Sequence, residues 1–276
     1  MRRPAKLLFS RLFDYAGMFP PAALTVEESL AEFERLGGSF VLNRFCCPAG
    51  ALGRLGSRPM AVSVIGSPSK DLEGWRSARE EDAKAMTANG DDLELAAYEV
   101  RSPSRGLAQA EIRDLVGFSS VDVFVELTLD EELEDDVADA AEIPWLKLKV
   151  RTGDIPPAPD LLARFIAQCL SLEMPFKLTA GLHHAITKLE PALEYGFVNV
   201  LAATALAYAE ELPPETIGRV LQETDPAAFA VTDEFLRWNG LTASTASIEE
   251  ARELFLSIGS CSVAEPLEEL GRLGWI

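Results

Sequence analysis

The chain has 276 residues, 48% hydrophobic and 25% charged, a composition that matches a globular protein with a sizeable core and excludes a disordered chain. Forty-four acidic residues oppose 25 lysines and arginines, giving a formal net charge of −19. The resulting anionic field argues against nucleic acid and anionic membrane surfaces as partners.

Residues 1–24 have a basic start, but Arg11 interrupts a short apolar stretch, so they read as neither leader nor membrane span. They are expected to cap one mouth of the fold, with Asp14-Tyr-Ala-Gly-Met-Phe-Pro-Pro-Ala22 able to fold over that mouth and deliver Asp14 or Tyr15. Thr25 and Glu28 are spaced as a capping box at the head of an amphipathic helix, and Gly37-Gly38 ends it. From there short apolar runs alternate with helical stretches, the pattern of βα units around a parallel sheet. Eight strands are expected, near 40–44, 61–65, 93–99, 121–127, 146–151, 176–179, 228–231 and 259–263. Helices are expected over 72–88, 107–115, 131–141, 160–172, 214–223, 248–256 and 266–273. The apolar segment 196–210 is too long for a strand and reads as a buried helix, and 235–244 as a hairpin or a long loop. This count predicts one domain over 1–276, a (β/α)8 TIM-type barrel, with an open doubly wound sheet as the alternative.

In such a barrel alternate residues of each strand point inward. Leu146, Leu148 and Val150 form an outer apolar face, which sends Lys147, Lys149 and Arg151 inward. On the next strand Phe176 and Leu178 pack outward, and Lys177 and Thr179 face in. Glu99 and Glu126 close the third and fourth strands as compensating carboxylates, with Asp122 on the inner face. These groups lie near the carboxyl ends of strands, where barrel enzymes place their chemistry. If Lys149 and Lys177 stand side by side, about 5 Å apart, their repulsion lowers one ammonium pKa and frees an amine for a Schiff base with a ketone or aldehyde. Glu126 then shuttles protons and Arg151 clamps a carboxylate or phosphate.

The only two histidines, His183 and His184, follow the sixth strand in Thr179-Ala-Gly-Leu-His-His184, read as a glycine-containing turn that opens a helix. His183 is an acid/base candidate and His184 a substrate contact. Ser260 and Ser262 share one face after the last strand and are candidate phosphate contacts, with Cys261 turned to the packing side. Arg44, at the end of the first expected strand, is a further anion contact. Cys46, Cys47, Cys169 and Cys261 have no metal or disulfide spacing and read as free thiols of a cytoplasmic chain.

The segments DYAGMFPPA (14–22), KVRTG (149–153), PFKLTAGLHH (175–184), GFVNVLAA (196–203) and GSCSVAEP (259–266) together resemble a family of uncharacterised bacterial proteins. The resemblance spans nearly the whole chain, implies one domain and transfers no catalytic assignment. Strands ending in Lys149 and Lys177 also resemble those of lysine-dependent barrel aldolases. The expectation is therefore a lyase, aldolase or isomerase that acts on a small anionic carbonyl compound without a cofactor. A metal-dependent isomerase or hydrolase using His183 or His184 with Glu99 or Glu126 is the second reading. A non-catalytic ligand-binding protein is the third.

Overall fold

The structure, a computed structural model, describes residues 3–101, 114–153, 155–232 and 234–276. Eight parallel strands close into a barrel, as the alternating pattern predicts. In chain order they are β1 (Phe13–Tyr15), β2 (Leu42–Pro48), β3 (Arg58–Ile65), β4 (Leu93–Arg101), β5 (Asp122–Leu127), β6 (Leu146–Arg151), β7 (Phe176–Thr179) and, after an insertion, β11 (Phe255–Ser260). Each pairs with its sequence neighbour around the ring, and β11 closes the barrel between β7 and β1.

Two expectations are corrected by this closure. The first barrel strand is Phe13–Tyr15, inside the segment expected to be a cap, and it pairs with both β11 and β2. The run near 228–231 forms β8 (Phe229–Val231), which leaves the barrel for a small antiparallel sheet with β9 (Phe235–Trp238) and β10 (Leu241–Ser244). The hairpin joining β9 and β10 turns on Asn239-Gly240, both at positive φ, the conformation a two-residue hairpin requires. The last barrel strand starts four residues earlier than expected, because helix Thr245–Leu254 runs directly into it with no glycine or proline between.

The helices follow from local sequence. Before the barrel lies α1 (Arg3–Phe9). The Thr25 hydroxyl accepts from the Glu28 amide, and the Glu28 carboxylate accepts from the Thr25 amide, fixing the start of α2 (Val26–Leu36). A 3-10 helix over Ala49–Arg54 takes the place of a full helix between β2 and β3. Next come α3 (Leu72–Asn89), α4 (Leu133–Ala141) and α5 (Pro159–Ser171). The last of these buries Leu162, Phe165, Ile166 and Cys169, spaced three and four apart, against the barrel. Of the helix expected over 107–115, residues 107–113 lie outside those described.

Between β7 and β11 the chain inserts α6 (Phe197–Glu210), α7 (Pro214–Leu221), the small sheet and α8 (Thr245–Leu254), and α9 (Ala264–Arg272) follows β11. Every residue of α6 from Phe197 to Ala207 is buried, because the helix is sandwiched among α7, α8 and β10. Its first residue, Phe197, meets Phe9 and Phe13 edge to face, tying the insertion to α1 and β1. Among the described residues no helix is long and apolar enough to cross a membrane.

Candidate active site at the carboxyl end of the barrel

Alternation along the strands sends Asp14 (β1), Ser63 (β3), Glu99 (β4), Phe124 and Glu126 (β5), Lys149 (β6), Lys177 (β7) and Ser257 (β11) into the barrel. Lys177 is fully buried at the centre of this layer. Its ammonium donates to Asp14 and, at 2.6 Å, to Glu99, and it lies 5.3 Å from the centroid of the Phe124 ring. Asp14 also accepts from Ser257 at 2.6 Å and Asn43 at 2.7 Å, and Glu99 from Ser63 at 2.6 Å. Lys149 stands directly opposite Lys177 in the β6–β7 register, as expected. The other oxygen of Glu99 meets it at 3.4 Å, and Glu126 at 3.2 Å. Glu126 in turn lies 3.7 Å from Arg101.

Mutual repulsion of the two lysines therefore does not govern Lys177. Burial disfavours its charge, but Asp14 and Glu99 outweigh burial and hold the ammonium above its ordinary pKa. Of the two lysines expected to yield one neutral amine, Lys177 is therefore not that amine; the carboxylate of Glu99 sits between the two ammonium groups and pairs with both. Burial likewise opposes the Glu99 charge, yet Lys177 and Lys149, with hydrogen bonds from Lys177 and Ser63, bring its pKa down to about 2.

That depression makes stability acid-sensitive. A carboxyl whose folded pKa is about 2 and whose ordinary value is 4.5 contributes fully above pH 4.5 and loses its contribution as pH falls toward 2. The shift corresponds to about 3 kcal/mol, at roughly 1.4 kcal/mol per pKa unit. Urea unfolding at stepped pH is expected to show this loss in the parent. A Glu99→Gln variant, already destabilised at neutral pH, is expected to show a shallower acid slope, and an equal slope in both would contradict the assignment.

Above this layer, at the carboxyl ends of the strands, opens a cavity of about 630 Å³. Glu99 and Lys149 line it, whereas Lys177 and Glu126 lie behind them. Lys149 is only 6% exposed, and what it shows faces this cavity. Arg151, Thr179 and His183 also line it, as expected for substrate contacts and an acid/base group. Arg151 is exposed, and among the described residues neither its side chain nor that of His183 makes a hydrogen bond or ion pair.

The loops after β6 and β7 are locked together at the rim. The Thr152 amide donates to the Thr179 carbonyl at 2.9 Å, and the Thr152 hydroxyl to the Ala180 carbonyl at 2.6 Å. Gly181 has φ +73°, and a Cβ there would collide with the Thr152 carbonyl oxygen and with Gly153. Only glycine permits this approach, which sets Arg151 and His183 on one arc of the mouth.

Other expected site residues lie elsewhere. Arg44 sits four residues before the end of β2 and reaches into the amino-terminal layer, where it pairs with Asp122 at 2.7 Å beside Lys147, itself 3.3 Å from Asp122. It is not a cavity group. His184 turns away from the cavity, its Nδ1 2.9 Å from Glu269 on α9 and its Nε2 3.3 Å from Glu194. Both histidines belong to a loop over 180–196, because the helix expected after Gly181 begins only at Phe197. Ser260 and Ser262 are reversed in parity: Ser260 Oγ bonds the Ser262 carbonyl at 2.6 Å outside the cavity, and Gly259 and Cys261 line it. Asp14 enters through a strand, not a lid, and Tyr15 alternates outward to Glu32 at 2.7 Å.

Cys46, read as a free thiol, also reaches the cavity, but burial and then the charge of Glu99 push its thiol pKa well above its ordinary value. All four cysteines are unpaired. Among the described residues no three His, Cys, Asp or Glu side chains come together to hold a metal ion. The fold and site define a (β/α)8 barrel with a buried ion-pair network beneath a carboxyl-end cavity. Compared with protein-family models, curated proteins and solved structures, the chain matches none.

Proposed function

We propose that this barrel is an enzyme of the lyase, aldolase or isomerase type acting on a small anionic carbonyl compound, with Lys149 as the residue that meets the carbonyl. The observation that carries the reading is the position of Lys149, a nearly buried ammonium with its one open side on the cavity and two carboxylates behind it. A structural ion pair needs no cavity. Lys177 fills the structural role already.

Arg151, whose side chain makes no ion pair among the described residues, binds the substrate's carboxylate or phosphate. The carbonyl carbon then faces Lys149 Nζ. Glu126, 3.2 Å away, accepts a proton from Lys149, and the amine adds to the carbonyl. Loss of water leaves a protonated imine, an electron sink that permits cleavage of a carbon–carbon bond or transfer of a proton beside it. Glu99, anionic throughout the neutral range, stabilises that cation, and His183 moves protons on the substrate side. The metal-dependent reading lacks a converging donor set among the described residues. Unpaired cysteines fit a cytoplasmic setting.

Sodium borohydride added with a panel of 2-oxo acids and sugar phosphates is expected to fix one ligand per chain, read by intact mass. Arg151→Gln is expected to raise the concentration needed for trapping about 10- to 100-fold, the worth of a charge-assisted hydrogen bond, with the melting temperature unchanged. No adduct across the panel, or trapping indifferent to Arg151, would overturn the assignment.

A further inference from the structure

The polarity of the cavity wall is segregated by strand order. Around the ring β1, β2 and β3 are contiguous, and their carboxyl ends contribute Ala16, Phe19, Pro20, Pro21, Cys46 and Ile65 to the cavity. None of these carries a formal charge at neutral pH, Cys46 being held as the thiol. Across the mouth β6 and β7 contribute Lys149, Arg151, Thr179 and His183. Gly259 of β11, which separates the two arcs on one side, presents no side chain, and on the other side Glu99 of β4 stands between them. From the loop over 180–196, Leu193 and Ala192 add to the apolar lining, and Glu194, paired with His184, adds a carboxylate at its edge.

Phe19, Ile65 and Leu193 are only partly buried, and each presents surface to the cavity. The volume of about 630 Å³ falls within the roughly 300–1,000 Å³ of pockets that enclose whole drug-sized ligands. A three-carbon acid held between Arg151 and Lys149 leaves most of that space, and all of the apolar arc, unfilled.

Resting on the reading of Lys149 as the carbonyl-binding residue, we infer that the substrate is a two-ended molecule, an oxo acid with a branched aliphatic or aromatic tail. Its anionic head lies on Arg151 at the β6–β7 arc, and its tail packs against Phe19, Pro20, Ile65 and Leu193. A polyhydroxylated sugar phosphate does not fit this division, since its hydroxyls facing the β1–β3 arc lose water without gaining partners.

The test measures dissociation constants by calorimetry, without borohydride, for pyruvate, 4-methyl-2-oxopentanoate, phenylpyruvate and ribulose 5-phosphate. Each buried methylene is worth a factor of about four. The branched and aromatic acids are therefore expected to bind at least tenfold more tightly than pyruvate and than the sugar phosphate. In Phe19→Ser and Leu193→Ser the ratio of phenylpyruvate to pyruvate affinity is expected to fall several-fold, with circular dichroism confirming the fold. A sugar phosphate that binds as well as phenylpyruvate, a ratio unchanged by both substitutions, or no binding by any of the four would overturn the inference. The two readings fail separately. Tight apolar binding without a borohydride adduct sinks the covalent role of Lys149 alone, and an adduct formed best with the sugar phosphate sinks the tail preference alone.

Discussion

Replacing Lys177 with methionine is expected to remove about 3–5 kcal/mol of folding free energy, the usual cost of taking one partner from a buried ion pair. Asp14 bears most of that loss. It is completely buried, and without Lys177 its hydrogen-bond donors among the described residues are the neutral Ser257 and Asn43. Glu99 retains Lys149. Against a net stability of roughly 5–15 kcal/mol for a typical domain the effect is large. Urea unfolding at pH 7 measures it. The double variant Asp14→Asn, Lys177→Met is expected to be more stable than Lys177→Met alone, since it no longer buries an uncompensated charge. A Lys177→Met protein within 1 kcal/mol of the parent would show that the central network is not what holds β1, β4 and β7 together.

Lys149→Met is expected to behave in the opposite way. Its carboxylates keep other cations, Lys177 for Glu99 and Arg101 for Glu126, so the fold survives with a smaller loss than Lys177→Met. Borohydride trapping is expected to vanish. Once a substrate is in hand, turnover is expected to fall at least ~1,000-fold, about 4 kcal/mol of transition-state stabilisation. Lys149→Arg is expected to restore stability but not turnover, because a guanidinium keeps the charge and cannot act as the nucleophile. Full activity in either variant would remove Lys149 from the chemistry.

How far such a site is legible before folding depends on the length of the strand that carries each residue. Leu146 to Arg151 alternates over six residues and Phe176 to Thr179 continues the pattern, so the placement of Lys149 beside Lys177 follows from the sequence alone. Phe13–Tyr15 spans three residues, too few to show a period, and only its pairing with β11 and β2 makes it a strand. With it went Asp14, the partner that fixes Lys177 as a cation, and hence the correct state of that lysine. Ser260 and Cys261 exchanged faces because the boundary between α8 and β11 has no breaker, and a late strand start removes the residues that reveal parity. Arg44 was misplaced for a related reason. β2 extends to Pro48, so a residue read as lying at the strand's end stands four positions below it. The loop over 180–196 carries no periodic signal, and its histidines part company only through tertiary contacts, His184 with Glu269 and Glu194 and His183 with the cavity.

The proposed chemistry depends on which of two lysines, facing each other across one strand pair, meets the substrate. Peptide mapping of the borohydride-trapped protein decides it. The prediction is a single modified peptide with the ligand on Lys149 and Lys177 unmodified. Modification of Lys177, or of surface lysines with Lys149 intact, would contradict it.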